Sequence, residues 1–388
     1  MILCREMALE SEAAFWFFRL LLFAIFIFCG WGISYKNKDN RYFWYYGLLA
    51  IVSWMLIEGL RYGRGPDYYH YSDELVGKWD LEFQREPLYQ LFVDLYRLSG
   101  LHYCYAFILY SWLLVTGFVL TVKNLRKYAW CLMPLFFLIN MYQAENMIRQ
   151  FIAIAFLFFA YSSYLNDKKV SMVIYLCIIP LIHLSGLLAV GVFLAVCFFN
   201  PGKYLKSAIL LLGIYVTISV VWNIAGLYDL TGTLSDAGAQ ADDSYYSTYL
   251  EDADRWFTEE GAKNIVGWGG EGSWMRDIAQ YALSGVLIWF GFLIYKDDER
   301  LGIPYWFTYI SIIIATIGGE IEIIDRFAWW LKPFECYMAA AILCNRRINK
   351  YCKGAIWSIF LVSYLYVNLI TEIGQPRPTG FAFIWDIV

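Results

Sequence analysis

Long apolar runs alternate with short polar connections along the whole chain, the pattern of a polypeptide threaded repeatedly through a bilayer. Runs close to the ~20 residues that cross about 30 Å of hydrocarbon as a helix fall at 13–33, 42–59, 103–121, 129–144, 148–164, 170–182, 184–199, 207–224, 277–295, 303–318, 328–344 and 354–370. "PLIHLSG" at 180–186 carries a proline and a glycine in mid-run, which splits 170–199 into two short helices. The pattern predicts an all-α polytopic membrane protein with about 12 transmembrane helices in a single integral membrane domain, 1–388. Two polar insertions interrupt it: 60–102, an outer loop that carries a helix lying at the interface, and 225–276, a large outer loop. The interfacial helix begins at Pro87, a favourable first helical residue, and spaces Leu88, Leu91, Phe92 and Leu95 as one apolar stripe.

Composition agrees: 60% of the 388 residues are apolar, 20% aromatic and only 16% charged, outside the range of ordinary soluble domains. The first run has "ESE" before it, Arg19 within it and no small-residue cleavage site after it, so it is expected to remain as a helix rather than to be removed as a signal peptide. Nine cysteines lie mostly in or beside the runs with no C-x-x-C pair, and read as small packing residues. Alternate connections, among them "YKNKDNR", "TVKNLRK" and "NRRINKYCKG", hold 16 basic and 5 acidic residues in six loops. Short cytoplasmic loops collect Lys and Arg, so these six face the cytoplasm and both termini lie outside. The net charge of −4 is thus the sum of two opposed faces and carries no argument for nucleic acid as a partner.

With that orientation, the unusual polar residues all fall on the outer side. "RYGRGPDYYHY" sets Arg61, Arg64, Asp67 and His70 among Tyr62, Tyr68, Tyr69 and Tyr71. Each arginine alone reads as a snorkelling side chain at a span end. Together with the tyrosines they also make a sugar-binding surface, because a pyranose offers apolar C–H faces and polar edges. Glu86, just before Pro87, is either the N-cap of the interfacial helix or a carboxylate aimed at a cavity shared with Asp67. Arg149 and Gln150 head an apolar run, where a charge is costly unless it is paired or reaches the interface. They read as a helix-end anchor or as an anion clamp, since a guanidinium grips phosphate oxygens in pairs. His183 has apolar neighbours on both sides and is either a helix–helix hydrogen bond or a reactive group. Arg326 follows Asp325, a ready ion-pair partner, and precedes Trp329 and Trp330, which read as an interfacial aromatic belt. In the 225–276 loop, Trp256 and Trp268 could stack on a glycan or pack a lid, and "GWGGEG" reads as a turn, not a phosphate loop.

The order Arg61, Gly65, Asp67, then "EP" at Glu86–Pro87, "IRQFIA" at 148–153, "IHLS" at 182–185 and a late Arg326 resembles the EpsG/Wzy-type polysaccharide polymerases. The extra Pro66 in "GRGPD" and the 225–276 loop depart from that pattern. The resemblance implies a helical bundle related to GT-C-type glycosyltransferases in the bacterial inner membrane, with its active site on the periplasmic side. It further implies that lipid-linked (undecaprenyl-diphosphate) oligosaccharide repeat units are joined into capsule, exopolysaccharide or O-antigen, with a chain-length regulator as a further partner. The diphosphate leaves with growing negative charge. No Asp-x-Asp motif follows a strand and no metal-ligand spacing is visible, so arginines take the place of a divalent cation and no cofactor is expected. In this reading Arg149 and Arg326 bind the diphosphate, assisted by Arg61 or Arg64, and Asp67 or Glu86 serves as base. His183 is a second candidate for acceptor or diphosphate, and Tyr69, His70, Gln150, Trp256 and Trp268 contact substrate. An O-antigen ligase uses the same donor and differs in its acceptor. A lipid-linked oligosaccharide flippase would spread its charges across the midplane, whereas here they gather on one face.

Overall fold

The computed structural model describes residues 2–36, 39–65, 67–78, 86–225, 274–318 and 322–370. Among these residues the chain is helical with no strand. The helices are α1 (Ile2–Tyr35), α2 (Asn40–Gly59), α3 (Tyr68–Leu75), α4 (Pro87–Ser99), α5 (Cys104–Val122), α6 (Ala129–Asn146), α7 (Ile148–Leu165) and α8 (Lys169–Ile182). They continue with α9 (Leu187–Phe199), α10 (Ala208–Ala225), α11 (Trp274–Asp297), α12 (Gly302–Gly318), α13 (Glu322–Ala328), α14 (Glu335–Cys344) and α15 (Lys350–Phe360), the last running into a π-helical stretch, Leu361–Ile370.

The all-α polytopic class holds. Five stretches are each long and apolar enough to cross a bilayer, namely Phe15–Tyr35, Cys104–Val122, Ile148–Leu165, Ile278–Asp297 and Glu299–Gly318, and Lys169–Ile182, Leu184–Phe199 and Ala208–Val221 are shorter apolar helices. The break in 180–186 is present: α8 ends at Ile182, and a 3₁₀ turn, Leu184–Gly186, precedes α9. The run 328–344 is not one helix. A turn and the 3₁₀ segment Lys332–Phe334 separate Ala328 from α14, as expected where Pro333 cannot donate its backbone nitrogen to a helix.

The chain forms two compact units, one built on residues 1–190 with returns at 339–347 and from 364 onward, the other on 191–338 with 348–363. In the first, α1 packs on α2 and α6, α5 on α2 and α7, and α7 on α8, while α4 lies against α8 and α3 against α4. Small residues let these backbones close up, the usual device between membrane helices. A Cβ on Gly117 of α5 would stand 2.7 Å from the Ala155 carbonyl of α7. Phe26, Trp54, Phe118, Phe136, Phe137 and Phe158 fill the centre with ring on ring, Phe118 and Phe136 stacked at 3.8 Å. Helix α4 has two apolar stripes: Tyr89, Val93 and Tyr96 are buried, whereas Leu91, Leu95 and Leu98 are exposed.

In the second unit α10, α11 and α12 pack on one another, α13 on α12 and α15 on α11. Tyr295 stacks on Tyr305 at 5.4 Å and donates its hydroxyl to Asn200, and the neighbouring Lys296 ammonium donates to the Gly202 carbonyl. Trp329 and Trp330 are buried, so they are core residues of this unit and not an interfacial belt.

Candidate functional site

Three breaks in regular structure bring the site of the first unit together. Pro87 holds the preceding residue out of the helical region, and Glu86 is extended at φ −58°, ψ 142°. It is the N-cap residue of α4 by position, but its carboxylate makes no capping bond to its own helix. It turns to two other elements instead. Met147 separates α6 from α7 and leaves Arg149 in the first turn of α7, where an Arg149 N–H donates to Glu86 Oε2 at 2.8 Å. His183 is extended at φ −155°, ψ 111° and ends α8. That break releases the Leu184 N–H from the helical ladder, and it donates to Glu86 Oε1 at 2.9 Å. His183 Nδ1 lies 3.6 Å from the same oxygen and 3.1 Å from Ser185 Oγ.

Glu86 is therefore a hub joining the heads of α4, α7 and the α8–α9 break. Its side chain is 18% exposed, Arg149's 8% and His183's 24%. The group is sheltered enough for charge-assisted bonds to count yet not fully enclosed. Gln150 is buried next to Arg149. The Arg149 guanidinium also lies over the Tyr89 ring at 5.6 Å.

Arg61 and Arg64 are both inside the unit and neither contacts Glu86. Arg64, 1% exposed, binds Glu145 Oε1 at 3.1 Å and stands 3.9 Å from Glu58. Glu145 also holds Arg19 of α1 at 3.3 Å. This buried network ties α1, α2 and α6 to the "RYGRGPD" turn, and the turn is pressed close: Gly65 has φ +94°, and a Cβ there would stand 2.5 Å from the Glu145 carbonyl. Arg61, also buried, donates to the Glu58 carbonyl at 2.7 Å and rests on the Phe107 ring at 5.2 Å. It lines a cavity of about 20 Å³ with Glu58, Tyr110, Ser111 and Glu145, room for about one water.

Asp67 stands half-buried before α3. Tyr69 is exposed, within 6.0 Å of Tyr62 ring to ring, and His70 is half-buried beside Tyr71. Arg326, on α13 of the second unit, is half-buried, and its neighbour Asp325 accepts from the Trp329 indole at 3.0 Å. Trp256 and Trp268 lie outside the described residues. Among the described residues no three His, Cys, Asp or Glu side chains are grouped as a metal site requires.

A family model, that of the EpsG family, matches residues 43–377. The chain belongs to the EpsG family. The match runs from within α2 past α15 and takes in Glu86, Arg149 and His183. This is a multi-pass membrane protein of a polysaccharide-polymerase type. No curated protein and no solved structure matches the chain. Reading the sequence missed three buried acids of this EpsG-family chain, Glu58, Glu74 and Glu145. The signal for Glu58 was there, an acid at the end of an apolar run that needs a partner.

Proposed function

We propose that this EpsG-family protein joins lipid-linked oligosaccharide repeat units into a surface polysaccharide, on the outer face of a bacterial plasma membrane. The observation that carries the proposal is the convergence of Arg149, Glu86 and His183 in one group that is sheltered but not fully enclosed. In the reaction an acceptor hydroxyl attacks the anomeric carbon of a glycan on polyprenyl diphosphate. The new C–O bond forms as the bond to the diphosphate breaks, and the electron pair leaves with the diphosphate. Arg149, in the first turn of α7 where the helix dipole also favours an anion, exchanges its bond to Glu86 for the diphosphate oxygens, with Gln150 beside it.

The hydroxyl proton goes to the Glu86–His183 pair. In the tautomer that donates Nδ1–H toward Ser185, with the carboxylate close by, the lone pair of His183 is on Nε2 and the imidazolium that forms is stabilised. Tyr69 and His70 are the acceptor contacts of the proposal. Arg64, bound inside the protein, organises the turn, and Asp67 is the alternative to Glu86 in the base role. The test is to incubate purified protein with lipid-linked repeat units in EDTA. A ladder of glycan lengths supports the proposal. Transfer to a distinct acceptor alone means a ligase, and no new bond means a flippase.

A further inference from the structure

Glu74, the penultimate residue of α3, is 0% exposed, and a buried carboxylate is costly unless well bonded. Its Oε2 accepts from the Tyr89 hydroxyl at 3.2 Å, and its backbone carbonyl accepts from Arg97 Nε at 2.8 Å, fastening α3 to α4. Tyr89 lies in the first turn of α4, three residues after Glu86, and is 2% exposed. Burial, with Glu74 and Tyr110 adding to it, pushes its phenol well above the ordinary range, so the hydroxyl stays a donor. The other end of that side chain meets Arg149, the ring lying 5.6 Å from the guanidinium. An O–H held by a carboxylate enriches the ring with electrons and strengthens its attraction for a cation.

We infer that Glu74 and Tyr89 are positioning residues that hold Arg149 aimed at an anionic ligand when its bond to Glu86 opens. The inference rests on the proposed function for the ligand's identity, a polyprenyl diphosphate. Without the O–H to carboxylate bond the ring remains but is neither anchored by Glu74 nor electron-enriched, so it holds the guanidinium less firmly, and a misplacement on the order of 1 Å can cost about 100-fold in rate.

The experiment is a double-mutant cycle of Tyr89→Phe and Glu74→Gln in the full-length protein in detergent. Thermal stability, polyprenyl-diphosphate affinity and ladder formation are measured for each. Tyr89→Phe alone takes a donor from a buried carboxylate and lowers Tm; adding Glu74→Gln removes that charge and restores much of it. At restored Tm, the double variant is expected to bind polyprenyl diphosphate about tenfold more weakly and to turn over at least tenfold more slowly, with acceptor KM within about twofold. Recovery of affinity and turnover together with Tm would overturn the inference and leave the pair as packing. If the wild-type protein binds polyprenyl diphosphate but builds no ladder, the proposed function fails while the affinity comparison still decides the positioning role. No binding by the wild type overturns both.

Discussion

Replacing Glu86 by Gln separates its two proposed duties, because the amide keeps the shape and loses the charge. Glu86 holds an Arg149 N–H at 2.8 Å and the Leu184 N–H at 2.9 Å. The amide oxygen can keep Leu184, but its –NH2 then faces the Arg149 N–H, donor against donor, and the charge-assisted bond is lost. Such bonds contribute roughly 1.5–3 kcal/mol, and with the two side chains 8% and 18% exposed a stability loss of about 2 kcal/mol is expected. In the reaction, losing the carboxylate that backs His183 should lower turnover about 100-fold, or roughly 2.7 kcal/mol of barrier. Diphosphate affinity should move the other way. In the wild type an incoming diphosphate displaces Glu86 from Arg149, and a neutral amide competes less well, so Glu86→Gln should bind polyprenyl diphosphate as tightly or more tightly, by up to about tenfold, or 1.4 kcal/mol. The assay pairs a binding titration in detergent with single-turnover transfer from labelled lipid-linked repeat units. Turnover within threefold of wild type removes Glu86 from the chemistry. A parallel loss of affinity would show that Glu86 supports Arg149 without competing for it.

Gly65→Ala should cost more than about 1 kcal/mol, since a Cβ at φ +94° is strained and would also meet the Glu145 carbonyl; an unchanged melting temperature contradicts the tight docking of the turn. Arg64→Leu leaves Glu145 and Glu58 short of a buried cation and should remove about 3–5 kcal/mol, seen as loss of monodisperse protein on size exclusion. A stable Arg64→Leu protein that binds no donor would return Arg64 to the diphosphate.

Much of the fold was legible because crossing a bilayer imposes a length and an apolarity that leave a plain mark on sequence. The α8–α9 break was legible too, since proline and glycine act locally, and so was the start of α4 at Pro87. Glu86, Arg149 and His183 could be singled out one by one as polar residues at the ends of apolar runs. That they meet could not be read, because the contacts join residues 63 and 98 positions apart. The same limit hid the pairing of Arg64 with Glu145 and made Trp329 and Trp330 look like interface residues when they are core. A tryptophan near a span end has the same sequence context whether its ring faces lipid or protein.

The most direct measurement is ladder formation by Arg149→Ala and Arg149→Lys beside wild type, in vesicles supplied with lipid-linked repeat units and with insertion confirmed for each protein. If Arg149 stabilises the departing diphosphate, Ala abolishes polymer, a loss of about 10²–10³-fold or more, and Lys restores little because a point charge lacks the paired N–H fork. A normal ladder from inserted Arg149→Ala protein, equal to wild type in length and yield, would contradict the central role given to Arg149.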